Sequence, residues 1–88
     1  MIADSGLPLA RKRLRWRARR GLLENDWILS RFLERHGDQL TSEEVVSFES
    51  LLDLSENELL DLLLARSDVP AALDVPHVRA MLDRLRAD

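Results

Sequence analysis

Apolar residues recur every three or four positions along most of the chain, which is the spacing of one face of an α-helix. The pattern predicts helices at about residues 7–20, 22–36, 42–53, 56–66 and 75–87. No stretch of useful length alternates apolar and polar residues as a β-strand does. The sequence therefore predicts an all-α single domain at 1–88, a compact bundle of about five short helices in which residues 1–6 form a flexible N-terminal tail.

The second half of the chain carries the clearest local signals. Thr41 with Glu44, and Ser55 with Glu58, have the spacing of a capping box, in which each side chain accepts from the other residue's backbone amide. We therefore expect the third and fourth helices to begin directly after Thr41 and Ser55. The fourth helix has leucines nearly all round its circumference, at positions 59, 60, 62, 63 and 64, so we expect it to be the central, most buried helix.

The size and composition of the chain argue against an enzyme. With 88 residues it has one small core and little material with which to enclose a dry catalytic cavity as well. There is no cysteine, which excludes disulfides, thiolate metal sites and cysteine nucleophiles. His36 and His77 have no partner at ligand spacing, so we expect neither a metal site nor a catalytic residue.

The charge of the chain is unevenly distributed. Residues 1–20 carry seven Lys or Arg against Asp4, a balance of +6, whereas residues 21–88 carry six Arg against fifteen Asp or Glu, a balance of −9. This asymmetry indicates a basic helix that either meets an acidic partner or folds back on the acidic part of the same chain. Neither a secretory signal nor an apolar run of about 20 residues is present, so we expect a cytoplasmic protein with no membrane insertion.

The basic run at 11–20 contains one aromatic residue, which distinguishes it from a simple solvated helix face. On a helix, Lys12, Trp16 and Arg20 share a side that is offset from the apolar stripe around Leu14. Trp and Arg are enriched among the residues that anchor protein interfaces, so this side is a candidate partner-binding surface. The sequence leaves open the alternative that Trp16 packs on the second helix.

The same basic run is also compatible with three other kinds of partner, namely a nucleic acid, a membrane surface and another acidic protein. Counterion release favours nucleic-acid binding by a dense cluster of Lys and Arg, but the acidic remainder of the chain would repel a phosphate backbone, and we expect no nucleic-acid partner. A membrane-surface helix is disfavoured because the apolar stripe is narrow and rich in alanine. A helical adaptor that binds another acidic protein through the basic helix remains an alternative.

A longer motif surrounds these basic residues. Residues 13–26 read Arg-Leu-Arg-Trp-Arg-Ala-Arg-Arg-Gly-Leu-Leu-Glu-Asn-Asp, and Arg-Phe-Leu follows at 31–33. This segment strongly resembles the SdhE family, the small FAD assembly factors, or succinate dehydrogenase assembly factors, whose hallmark is Arg-Gly-x-x-Glu. Phe-Glu-Ser-Leu-Leu-Asp at 48–53 and Pro70 match the second half of the family in order and spacing, so the resemblance covers about residues 11–86.

The resemblance implies a five-helix bundle with a chaperone-like function and no enzymatic activity of its own. Members of the family bind the flavoprotein subunit of succinate dehydrogenase, and in some bacteria fumarate reductase, and promote covalent attachment of FAD to a histidine of that subunit. On this resemblance FAD is the cofactor of the client, and the chain holds no cofactor stably. We expect the chain to be a monomer.

The resemblance also implies which residues contact the client. The hallmark lies on the partner-binding surface of the family and is matched here at residues 20–24. Trp16 and Asp26 are neighbours at matched positions, and Lys12 lies one helical turn before Trp16. Leu62 stands where many members carry tryptophan, so no role is assigned to that position. We therefore expect a partner-binding site that consists of Arg20, Gly21, Glu24, Trp16, Asp26 and Lys12.

Overall fold

Five α-helices account for most of the residues that the structure, a computed structural model, describes, namely residues 6–18 and 22–87. No strand is present among these residues, and the prediction of an all-α fold is confirmed. The helices are α1 (Leu7–Arg17), α2 (Leu23–His36), α3 (Ser42–Leu52), α4 (Glu56–Leu63) and α5 (Pro76–Ala87), and 3₁₀ turns lie at Gly37–Gln39 and Ala71–Leu73.

The predicted helix boundaries agree with the structure to within one residue, except at the ends of α1 and α4. The structure has α1 end at Arg17, and its predicted last residues, 19 and 20, lie outside the described part of the chain, as do residues 1–5 of the predicted tail. The end of α4 is at Leu63, three residues before the predicted end.

The starts of α3 and α4 have the geometry that the sequence predicts. The Thr41 hydroxyl accepts from the Glu44 backbone N–H at 3.2 Å, and the Glu44 carboxylate accepts from the Thr41 N–H at 2.9 Å. Ser55 and Glu58 make the same pair of bonds at 3.2 and 3.1 Å. Both capping boxes are therefore confirmed, and each supplies acceptors to amides that have no partner within the helix.

The early end of α4 has a backbone cause. Ala65 adopts a φ of +57°, in the left-handed region, and the chain leaves the helix there. The Arg66 N–H donates to the Asp61 carbonyl at 2.7 Å, and the Ala65 N–H donates to the Leu62 carbonyl at 3.1 Å. This is the Schellman pattern of a helix C-terminus, with alanine at the position that glycine usually occupies.

Buried apolar side chains from all five helices form one core cluster. Within it α3 packs on both α1 and α5, and its Phe48 ring lies 6.0 Å from the Phe32 ring of α2, measured between centroids. The expectation that α4 is the central helix is therefore wrong. Leu64, the C-cap residue of α4, is 44% exposed. The buried residues of the cluster are Ala10, Leu14, Ala18, Leu29, Phe32, Leu33, Leu40, Val45, Phe48, Leu51, Leu52, Leu59, Leu62, Leu63, Val78, Met81, Leu82 and Leu85.

Replacing Ala65 by glycine should raise the free energy of unfolding by about 0.5–1 kcal/mol, because glycine adopts a positive φ without the steric cost of a Cβ. Urea unfolding followed by circular dichroism measures this change. The matched control is Ala80→Gly at an exposed interior position of α5, which should lower the same free energy by about 1 kcal/mol. A loss of stability in both variants would contradict the role given to the Ala65 backbone.

Candidate partner-binding surface

Two arginines of α1, Arg11 and Arg15, form hydrogen bonds to the turn that follows α2. Arg11 donates from Nε and Nη2 to the Leu40 carbonyl oxygen, at 2.8 and 2.5 Å. Arg15 donates from Nη2 to Asp38 Oδ1 at 2.9 Å, and this hydrogen bond together with the guanidinium charge holds the pKa of the Asp38 carboxyl below its ordinary value. These contacts fix one edge of α1.

Arg17 ties α1 to α3 at the other edge. Its Nη2 donates to Asp53 Oδ1 at 2.7 Å, and its Nη1 donates to Glu49 Oε2 at 3.4 Å. Part of the basic helix therefore folds back on the acidic remainder of the chain, which is one of the two alternatives that the charge pattern indicates. Since three arginines of α1 bind within the chain, a nucleic acid would meet fewer available cations there than the sequence suggests.

The opposite side of α1 carries apolar and basic side chains without such ties. Leu9 is 64% exposed and Trp16 is 79% exposed, and with Lys12 and Arg13 they line a shallow open groove. Neither Lys12 nor Arg13 has a hydrogen bond or ion pair with the part of the chain that the structure describes. The alternative in which Trp16 packs on the second helix is wrong, because most of the indole faces solvent.

The first two turns of α2 present a second exposed apolar surface. Leu23 is 77% exposed and Trp27 is 61% exposed, and the Arg31 guanidinium lies over the Trp27 ring, 4.4 Å from its centroid. A spacing of four residues places these three side chains on one side of the helix, and Glu24 projects beside them. A cation over an exposed ring contributes about 0.5–1 kcal/mol, which favours a defined orientation of the indole.

Sequence reasoning missed Leu9, Leu23 and Trp27 as surface residues. Leu23 and Trp27 lie one turn apart and are offset from the buried stripe of α2 that contains Leu29 and Leu33. The core buries the stripe that contains Leu29 and Leu33, and the stripe that contains Leu23 and Trp27 stays exposed. That offset is the signal by which the sequence could have identified Trp27.

The start of α2 is fastened to the start of α4. Leu22, the N-cap residue of α2, donates its backbone N–H to Glu56 Oε2 at 2.9 Å. Asn25, which is fully buried, donates its side-chain amide to the Glu56 carbonyl oxygen at 2.9 Å. Within the helix, the Ser30 hydroxyl donates to Asp26 Oδ1 at 3.1 Å. The first turn of α2 is therefore held by side chains from two helices.

The structure describes four of the six predicted site residues. Lys12 and Trp16 share the outward side of α1, while Glu24 and Asp26 lie in the first turn of α2, the former exposed and the latter half-buried. Among described residues, Glu24 makes no hydrogen bond or ion pair, and none joins the α1 pair to the α2 pair. Two predicted residues lie outside the described part of the chain, namely Arg20 and Gly21.

These surfaces have the composition of a site for another macromolecule. Within the described ranges, 6–18 and 22–87, no three His, Cys, Asp or Glu side chains are grouped so that they could hold a metal ion. Over the same ranges, every helix is too short or too polar to traverse a lipid bilayer. The outward sides of α1 and α2 instead combine tryptophan, leucine and charged groups, a combination that is typical of protein-binding surfaces.

Comparison with known proteins identifies close relatives over most of the chain. The family model described as flavinator of succinate dehydrogenase matches residues 12–88. The FAD assembly factor SdhE of Ralstonia nicotianae is 54% identical over 80 residues, which cover 91% of this chain and 84% of that protein. The protein of the same name from Acetobacter pasteurianus is 34% identical over 86 residues, 97% of this chain and 79% of that protein. No solved structure matches the chain. These names describe assembly factors and not catalysts, which confirms the prediction that the chain is not an enzyme.

Replacing Trp16 or Trp27 by alanine should change the free energy of unfolding by no more than about 1 kcal/mol, because an exposed side chain loses little burial when it is truncated. Urea unfolding measures this change. The control is Phe48→Ala, which removes a fully buried ring and should lower the same free energy by about 3–5 kcal/mol. A loss at either tryptophan as large as that at Phe48 would show that the indole supports the fold.

Proposed function

The chain belongs to the SdhE family of FAD assembly factors, and from this membership we propose that it binds the flavoprotein subunit of succinate dehydrogenase and promotes the covalent flavinylation of that subunit. The observation that carries the proposal is the exposed position of Glu24 in the first turn of α2, within the segment that the family model matches. A carboxylate without a partner among the described residues is available to a client.

We assign FAD to the client rather than to this chain. The groove on the outward side of α1 is shallow and open and is lined by one helix, which suits contact with a protein surface better than enclosure of a dinucleotide. Fumarate reductase is proposed as a second client. We propose that the chain acts as a monomeric binding partner during the attachment step.

The proposed mechanism is stabilisation of one client conformation. The flavin and a histidine of the client supply the chemistry of attachment, while this chain binds the conformation that closes the flavin site more tightly than the open one. Such differential binding shifts the population towards the reactive state without any catalytic group in the assembly factor.

Each hallmark residue has a distinct proposed role. The forked guanidinium of Arg20 donates to client carboxylates or carbonyls. Gly21 allows close approach of the client backbone because it has no Cβ. Glu24 either orients Arg20 or accepts a hydrogen bond from a client donor.

The neighbouring residues extend this contact surface. Trp16 supplies an exposed aromatic anchor, and Lys12 places a cation beside it for an acidic client segment. Asp26, which accepts a hydrogen bond from the Ser30 hydroxyl, is a further partner-binding residue in the first turn of α2. Trp27 adds a second aromatic contact that the sequence alone did not indicate.

A second candidate function is a helical adaptor for a different acidic protein. The observation that favours it is the pair of exposed cations, Lys12 and Arg13, which lack ion-pair partners among the described residues. An adaptor would bind its partner through α1 without any effect on flavinylation, so measurement of covalent flavin distinguishes the two functions.

Covalent flavin on the succinate dehydrogenase flavoprotein, read by in-gel fluorescence in cells that lack this protein, tests the proposal. Wild type should restore the signal, whereas Glu24→Ala and Arg20→Ala should each reduce it at least about fivefold, a loss equivalent to about 1 kcal/mol of client binding. The matched control is Asp83→Ala, which removes an exposed carboxylate from α5 and should restore the full signal. Equal fluorescence in every strain, including the one without the protein, would refute the assembly-factor function for this client.

A further inference from the structure

Two hydrogen bonds from the beginning of α2 converge on one residue of α4. The Leu22 N–H reaches the Glu56 carboxylate at 2.9 Å, and the Asn25 side chain reaches the Glu56 carbonyl oxygen at 2.9 Å. In sequence, Leu22 directly follows the Arg-Gly pair of the hallmark, and Glu24 lies between the two bonded residues. The segment that carries the hallmark is therefore anchored on its C-terminal side to a different helix.

The Glu56 carboxylate is not needed to cap its own helix. The capping box at the start of α4 consists of Ser55 and Glu58, whose reciprocal bonds are both present. In contrast, the N-cap of α2 is Leu22, which has an apolar side chain and supplies no capping acceptor. Glu56 accepts from the N–H of this N-cap residue, which is the amide that the side chain of a Glu at N3 binds in a capping box.

Asn25 is a buried polar residue whose side-chain amide bonds to α4. The side chain is fully buried, and its Oδ1 has no hydrogen-bond partner among the described residues. A buried acceptor without a partner is destabilising, and a well-packed apolar side chain would avoid that cost. What the amide does supply is a donor to Glu56, and this donor fixes the first turn of α2 relative to α4.

We propose that Glu56 is a positioning residue for the partner-binding surface. It contacts no client itself, but together with Asn25 it holds the start of α2 so that Glu24 projects in one orientation. The first turn of a helix otherwise frays, and the client would have to order it on binding. Pre-ordering this turn lowers the entropic cost of binding. The inference rests on the proposed function, because it concerns the same surface and the same client.

The test compares client affinity with stability in three variants of the full chain. The dissociation constant for the purified flavin-free flavoprotein subunit of succinate dehydrogenase is measured by titration calorimetry, and urea unfolding is measured in parallel. Glu56→Ala removes the acceptor and should weaken binding about tenfold, equivalent to about 1.4 kcal/mol. Glu56→Gln retains a side-chain oxygen that can accept from Leu22, and it should stay within about threefold of wild type.

The matched control is Glu58→Ala, which removes a capping carboxylate from the same helix without touching α2. It should lower stability but leave the dissociation constant within about twofold of wild type. In the Glu56→Ala variant alone, the Leu22 amide should also exchange faster with solvent deuterium. A merely structural role for Glu56 predicts instead that Glu56→Ala and Glu58→Ala weaken binding in proportion to their loss of stability.

The outcomes separate this inference from the function on which it rests. Weakened binding in Glu24→Ala together with unchanged binding in Glu56→Ala would overturn the positioning role and leave the proposed function intact. Unchanged binding in Glu24→Ala would overturn the proposed surface and the inference together. Weakened binding in both, with rescue by Glu56→Gln, supports the positioning role.

Discussion

The packing of α3 against both α1 and α5 is the contact on which the rest of the arrangement depends. In a chain of 88 residues there is material for one core, and each short helix contributes one side to it. On α1 that side consists of small or medium apolar residues, including Ala10 and Leu14, and arginines hold both of its edges. The opposite sides of α1 and α2 consequently remain exposed to solvent.

The helices could be predicted from the sequence because their causes are local. Apolar spacing indicates each helix, and the capping boxes at Thr41 and Ser55 locate two starts to the residue. The end of α4 could not be predicted, since it depends on a left-handed alanine, Ala65, where the usual glycine signal is absent. The central position of α3 was missed for another reason, namely that leucine density on α4 measures apolarity and not the number of helices packed around it.

The sequence proposes residues for the candidate site, but it does not indicate the side chains that support them. The exposure of Trp16 follows from its offset from the Leu14 stripe, although the sequence left packing on α2 open. The bond from Leu22 to Glu56 joins residues 34 positions apart, and no local pattern predicts such a pair. Similarly, the charge asymmetry was compatible with internal or external pairing of α1, and only the three-dimensional arrangement distinguishes the arginines that bind within the chain from the cations that face outward.

The charge distribution and the small size of the chain both favour a protein that acts by binding a partner. The outward sides of α1 and α2 expose two tryptophans, Trp16 and Trp27. For an assembly factor that is sufficient, because differential binding of a client conformation requires a defined surface and not reactive groups. Membership of the SdhE family is consistent with this physical account.

The most direct test of the account uses the two tryptophans of the chain, Trp16 and Trp27, as reporters. With both labelled as 5-fluorotryptophan and assigned through single Trp→Phe variants, ¹⁹F NMR spectra are recorded before and after addition of the flavin-free succinate dehydrogenase flavoprotein. If the outward sides of α1 and α2 bind the client, the Trp16 and Trp27 resonances should both shift or broaden on complex formation, beyond the uniform broadening that the larger mass causes. A complex that forms while both indoles keep their free chemical shifts would contradict the claim that the outward sides of α1 and α2 bind the client.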